Sequence, residues 1–93
     1  MIIGILELDL RFFSGNSLKE KRRLLKRLIF KIRNNFNVSV SEIGHQDLWR
    51  RTELGISLIT TEMRFAQKVL NKILGLIEEE RDISLINSKM EFL

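Results

Sequence analysis

The chain has 93 residues, 44% of them hydrophobic and 30% charged, with a net charge of +4 and no cysteine. That composition excludes a disordered chain, a disulfide framework, a thiolate nucleophile and a cysteine-based zinc site. The N-terminal "MIIGILELDL" carries acids at Glu7 and Asp9 and no preceding basic region, and no run nears the roughly 20 apolar residues of a membrane span, so a cytoplasmic protein folded as one domain over residues 1–93 is expected.

In "MIIGILELDLRFF" the even positions Ile2, Leu6, Leu8, Leu10 and Phe12 are apolar, while Glu7, Asp9 and Arg11 stand at odd ones. Period two predicts a strand with one buried face. "SGNS" reads as a turn, and Ser17 with Glu20 forms a capping box that starts a helix. At about 100° per residue, Leu18, Leu24, Leu25, Leu28 and Ile32 share one stripe. Lys21 points into that stripe, and snorkelling past the end of the sheet is its expected escape. "FNVSVSEI" alternates again, with Phe36, Val38 and Val40 inward; "ELGISLIT" gives a third strand with Leu54, Ile56 and Leu58 inward. "TEMRFAQKVLNKILGLIEEE" predicts a second helix burying Ala66, Val69, Leu70, Ile73 and Ile77, and "ISLINSKMEFL" a fourth strand whose alternation fixes no face.

The order β-α-β-β-α-β is the split βαβ of α+β, ferredoxin-like sandwiches. Right-handed crossovers then put strands one and three in the centre of a four-stranded antiparallel sheet, with both helices on one face.

"SLKEKRR" followed by "RNNFNVSVSEIGHQDLWRRTELGIS" resembles the small bacterial YlxP-like family, domain of unknown function 503. The family pattern joins an S-L-K-x-K-R helix start, an F-N-V-S/A-V strand, a Q-D-L-W loop and an E-L-G strand, and the match runs from Met1 to about Ser57. The resemblance implies a ferredoxin-like fold and a link to ribosomes and translation. It assigns no catalytic residue.

Residues 17–33 hold eight Lys or Arg and one acid, Glu20, or +7, which leaves −3 for the rest of the chain. Along one arc of the helix stand Lys19, Arg22, Arg23, Lys26, Arg27, Lys31 and Arg33. Exposed helices usually mix signs, because opposite charges at i,i+4 stabilise and like charges cost a few tenths of a kcal/mol each. Here Lys19–Arg23, Arg22–Lys26, Arg23–Arg27 and Arg27–Lys31 are all like-charged. A polyanion, with ribosomal RNA foremost, is the expected partner; the competing reading is a solvated face partly answered by the acids at 78–80. Phe30 stands inside the basic arc, placed either to stack on an unpaired base or to pack under Arg stems or against another subunit. In the loop "GHQDLWRR", Trp49, Arg50 and Arg51 are the remaining RNA candidates, with Trp49 alternatively folding back over the core.

The sheet is not expected to bind RNA as an RNA-recognition motif does. Its outward positions, Ile3, Ile5, Glu7, Asp9 on one strand and Glu53, Gly55, Ser57, Ile59 on the other, carry no aromatic and three carboxylates. The apolar end of that face, with two open edges, suggests a homodimer or another protein partner as the alternative. Glu7, Asp9 and Glu53 could do acid–base work, but the sequence places no nucleophile or third ligand beside them. The H-x-D of His45 and Asp47 offers too few ligands for a metal, and "RFFSGNS" lacks the anion-cradling loop of the acylphosphatases. No catalytic site, cofactor or small-molecule substrate is therefore expected.

Overall fold

The computed structural model describes residues 1–93 as β1 (Ile2–Phe12), α1 (Leu18–Asn35), β2 (Ser39–Gly44), β3 (Arg51–Thr60), α2 (Met63–Glu78) and β4 (Ile83–Phe92). The sheet order is β2-β3-β1-β4, all pairs antiparallel, with β1 and β3 central. Both helices cover one face, as the element order requires, and the fold is ferredoxin-like.

Alternation does its work on β1 and β3. Leu6, Leu8, Leu10 and Phe12 interleave with Leu54, Ile56 and Leu58 beneath the helices, where they meet Leu24, Leu25, Leu28, Ile32, Ala66, Leu70, Ile73 and Ile77 in one core. Burying a large aliphatic side chain contributes about 1.5–3 kcal/mol, so this layer holds the fold and leaves the outer helix faces free in composition. Val69 is only half-buried at its margin.

Local differences from the sequence expectation have local causes. Ser17 caps α1, its Oγ accepting from the Glu20 N–H at 3.2 Å; Glu20 reaches past the cap to accept from the Asn16 N–H at 2.7 Å. Gly15, at φ +105°, supplies the left-handed residue that turns the chain there. Phe36 and Val38 are half-buried, and β2 starts only at Ser39, because the Val38 N–H turns back to the Phe36 carbonyl at 3.0 Å instead of joining the sheet. β3 starts two residues before "ELG", at Arg51, which makes Arg51 a strand residue.

The largest correction is Lys21. It does not snorkel: it is 1% exposed, and its ammonium ends among acceptors of the β2–β3 loop. Nζ donates to the His45 carbonyl at 2.6 Å and to the Gln46 carbonyl at 3.4 Å, and pairs with Glu42 Oε2 at 3.0 Å. Three N–H donors meet three acceptors, which is what a buried ammonium needs. Thr52 Oγ1 donates to the same Glu42 oxygen at 2.6 Å. The loop folds over the first turn of α1, so the charge reaches carbonyls before it would reach water.

Replacing Lys21 by Met keeps the stem but strands Glu42 and the loop carbonyls. The expected loss is on the order of 3 kcal/mol in urea unfolding. An unchanged midpoint would show that the network anchors nothing.

Candidate nucleic-acid interface

α1 turns Leu24, Leu25, Leu28 and Ile32 to the sheet, so the opposite side faces away from it. Lys19, Arg22, Arg23, Lys26 and Arg27 are all exposed there, and no carboxylate pairs with any of them: the molecule's ion pairs engage only Lys21, Lys31, His45 and Arg51. Phe30 lies in their midst, 69% exposed. The other two basic residues of the arc have partners. Lys31 meets Glu80 at 2.6 Å, so the acidic turn that follows α2 answers it, and Arg33 donates to the Val40 carbonyl on the edge strand β2 at 2.9 Å.

The loop residues divide in the same way. Trp49 is 53% exposed, so it does not cover the core. Arg50 reaches back toward the entry of α1, with long contacts to the Gly15 carbonyl (3.4 Å) and Asn16 Oδ1 (3.3 Å). Arg51 is held on the opposite face of the sheet, where one guanidinium nitrogen donates to both Asp9 oxygens at 3.0 and 2.9 Å. Arg51 therefore stands apart from the helix surface, and of the ten candidate contacts it is the one the fold separates most clearly.

Sequence reasoning missed a second basic row. Arg64, Lys68 and Lys72 are exposed on α2, opposite its buried Ala66, Leu70, Ile73 and Ile77, and none has an ion-pair partner. Their i,i+4 spacing repeats the like-charge pattern of α1. That spacing was the available signal, and the acids at 78–80 obscured it. The outer helix layer thus carries eight unpaired cations, five on α1 and three on α2.

On the uncovered sheet face, β1 and β3 set Asp9 directly opposite Glu53. A register shift between Glu42 and Gly44 carries the hairpin over this pair, and His45, at φ +58°, delivers its imidazole to it. Nε2 lies 3.1 Å from Glu53 Oε1 and 3.9 Å from Asp9 Oδ1. His45 thus joins these two carboxylates rather than the Asp47 of its own loop. It is also the third group that the sequence alone does not place beside Asp9 and Glu53.

A family model described as protein of unknown function (DUF503) matches residues 3–90. The uncharacterized protein YlxP of Bacillus subtilis is 37% identical over 91 residues, covering 98% of this chain and 99% of its own. Two de novo designed proteins share the fold at low identity. One, described as having a ferredoxin fold, has a TM-score of 0.55 at 16% identity and covers 100% of this chain and 84% of its own. The other, Foldit4, has a TM-score of 0.55 at 15% identity and covers 98% and 96%.

Trp49 is the sole tryptophan and provides a direct check on the loop. Iodide should quench its emission efficiently, and Trp49→Ala should cost less than about 1 kcal/mol, against about 3–5 for a buried Trp. A protected emission together with a loss in the upper range would return Trp49 to the core.

Proposed function

The chain belongs to the DUF503 family, and on that premise we propose that it is an RNA-binding protein of the cytoplasm that lays its helix layer against structured RNA. The observation that carries this reading is the outer face of α1 and α2: eight exposed Lys and Arg with no carboxylate pairing to any of them. Such rows are tolerated at some cost in an isolated chain and relieved by a polyanion, whose phosphates they meet with release of counterions. The family's suggested link to translation makes ribosomal RNA the first target. Phe30, exposed among the cations, is available to stack on an unpaired base. The protein acts by binding, with no catalytic step. No helix is long and apolar enough to cross a membrane.

Binding should weaken linearly in log affinity against log salt, with a slope of about −0.7 to −0.9 per phosphate met. Exchanging Arg23 and Arg27 together for Glu leaves the buried stripe intact and creates opposite-charge i,i+4 pairs with Lys19 and Lys31, so the domain should stay folded. Affinity for ribosomal RNA at moderate salt should fall at least about tenfold, with a shallower slope. Lys31→Ala, which removes a cation already answered by Glu80, should change it far less. A folded double variant that binds as the wild type does would make the face merely solvated.

One observation favours a second reading, a homodimer through the uncovered sheet face. Ile59 is 69% exposed there, paired across the strands with Ile3 and close to Ile5. Light scattering over a concentration series should then show mass rising toward twice the monomer, and Ile59→Lys should abolish the rise. A strict monomer at the highest concentration would end this reading.

A further inference from the structure

We propose that Asp9, His45 and Glu53 form a binding site for a divalent transition-metal ion, with Zn²⁺ the best match. Their donor atoms all lie within 4.8 Å of one another. The His45 Nε2 to Glu53 Oε1 distance is 3.1 Å and that to Asp9 Oδ1 is 3.9 Å. Tetrahedral zinc with bonds of about 2.0–2.1 Å spaces its ligand atoms about 3.3 Å apart. Closing the set therefore needs side-chain adjustments on the order of 1 Å and no rearrangement of the backbone.

Three features of the surroundings bear on these donors: one leaves room for Glu53, and two hold His45 and Asp9. Gly44 packs against the Glu53 carboxylate so closely that a Cβ there would stand 2.6 Å from Oε2; only glycine lets Glu53 turn this way without displacement. The His45 carbonyl accepts from Lys21 Nζ at 2.6 Å and from the Leu48 N–H at 3.1 Å, so both its lone pairs are used and the residue bearing the imidazole is fixed. Arg51 donates to both Asp9 oxygens, the outer-shell partnership that orients metal-binding carboxylates.

The donor chemistry selects the ion. One imidazole and two carboxylates suit zinc and its neighbours in the first row, whereas calcium and magnesium prefer all-oxygen sites with more ligands. The positive charge of Arg51 beside Asp9 further disfavours ions held by charge alone. Three protein ligands leave at least one position open, and two of the donors, Asp9 and Glu53, also line a hollow of about 170 Å³ with Glu7, Leu8, Asn87 and Lys89. The hollow has room for water or a small anionic ligand of the metal. This is the pattern of a site that exchanges a ligand rather than a closed structural one.

His45 is the only histidine and the chain has no cysteine, which makes the test clean. The full chain is titrated with Zn²⁺ against a chromophoric chelator while the imidazole protons of His45 are followed by NMR. One ion should bind per chain at micromolar concentration or below, with the His45 resonances shifting to the same endpoint. His45→Ala and Glu53→Gln should each weaken binding by more than roughly tenfold, since even outer-shell losses cost about 10–100-fold. Asp47→Asn, the other member of the loop H-x-D, should leave it unchanged. Glu53→Gln keeps size and shape, so it remains decisive if His45→Ala fails to fold. Binding only at millimolar zinc, retention of affinity in Glu53→Gln, or loss in Asp47→Asn would each overturn the site.

Discussion

A buried ammonium dictates how this molecule is put together. Charge removed from water costs several kcal/mol unless its hydrogen-bonding capacity is met in full, and Lys21 meets it with Glu42, His45 and Gln46. None of these acceptors belongs to α1. The requirement therefore reaches across the sheet end: the β2–β3 loop must lie over the first turn of α1, and Glu42 must point toward the helix layer. The shifted register between Glu42 and Gly44 and the left-handed backbone of His45 are local distortions of the kind that persist only when their surroundings over-determine them. The ammonium is that surrounding.

Charge is segregated by the same division of labour. The core stripe of each helix supplies its stability, so the outer faces need no i,i+4 pairs of opposite sign to stay helical. That freedom is used mostly in one direction. The helix layer presents Lys19, Arg22, Arg23, Lys26, Arg27, Arg64, Lys68 and Lys72, while the open sheet face mixes signs, with Glu7, Asp9 and Glu53 set among Arg11, Arg51 and Lys89. The proposed contact with a polyanion would therefore be made by the helix side, where no acid answers the cations. The two faces thus differ in charge by construction: unpaired cations on one, paired and mixed charges on the other.

The strand and helix order was readable from residues alone because its signals are periodic and local. β1 alternates without a break from Leu6 to Phe12, and the Ser17 cap marks where period two gives way to the helix. Lys21 was readable as an anomaly within its stripe but not as an anchor, since its acceptors lie 21 or more positions away and two of them are backbone carbonyls that carry no sequence signature. Arg51 looked like a loop cation because "ELG" marks the strand so strongly; its pairing with Asp9 depends on where β3 begins. The His45 cluster was divided between two readings, an H-x-D in a loop and three acids on strands. Antiparallel register places Asp9 opposite Glu53, yet only the irregular hairpin brings His45 above them. Periodicity predicts faces; it does not predict what a bulge redirects.

The two proposed sites stand on opposite sides of the sheet, and Lys21 connects them. Its backbone lies between Lys19 and Arg22 of the basic face, and its ammonium holds the carbonyl of the residue that offers Nε2 to the metal. A ligand couples to a distant site only through a difference in free energy between two states of the connecting element. With all its donors engaged and its side chain 1% exposed, Lys21 has no comparable second position to occupy without abandoning Glu42 or His45. The same rigidity that positions both faces therefore insulates them. RNA on the helices and a metal on the sheet should bind independently, as two surfaces of one scaffold rather than as an effector and its target.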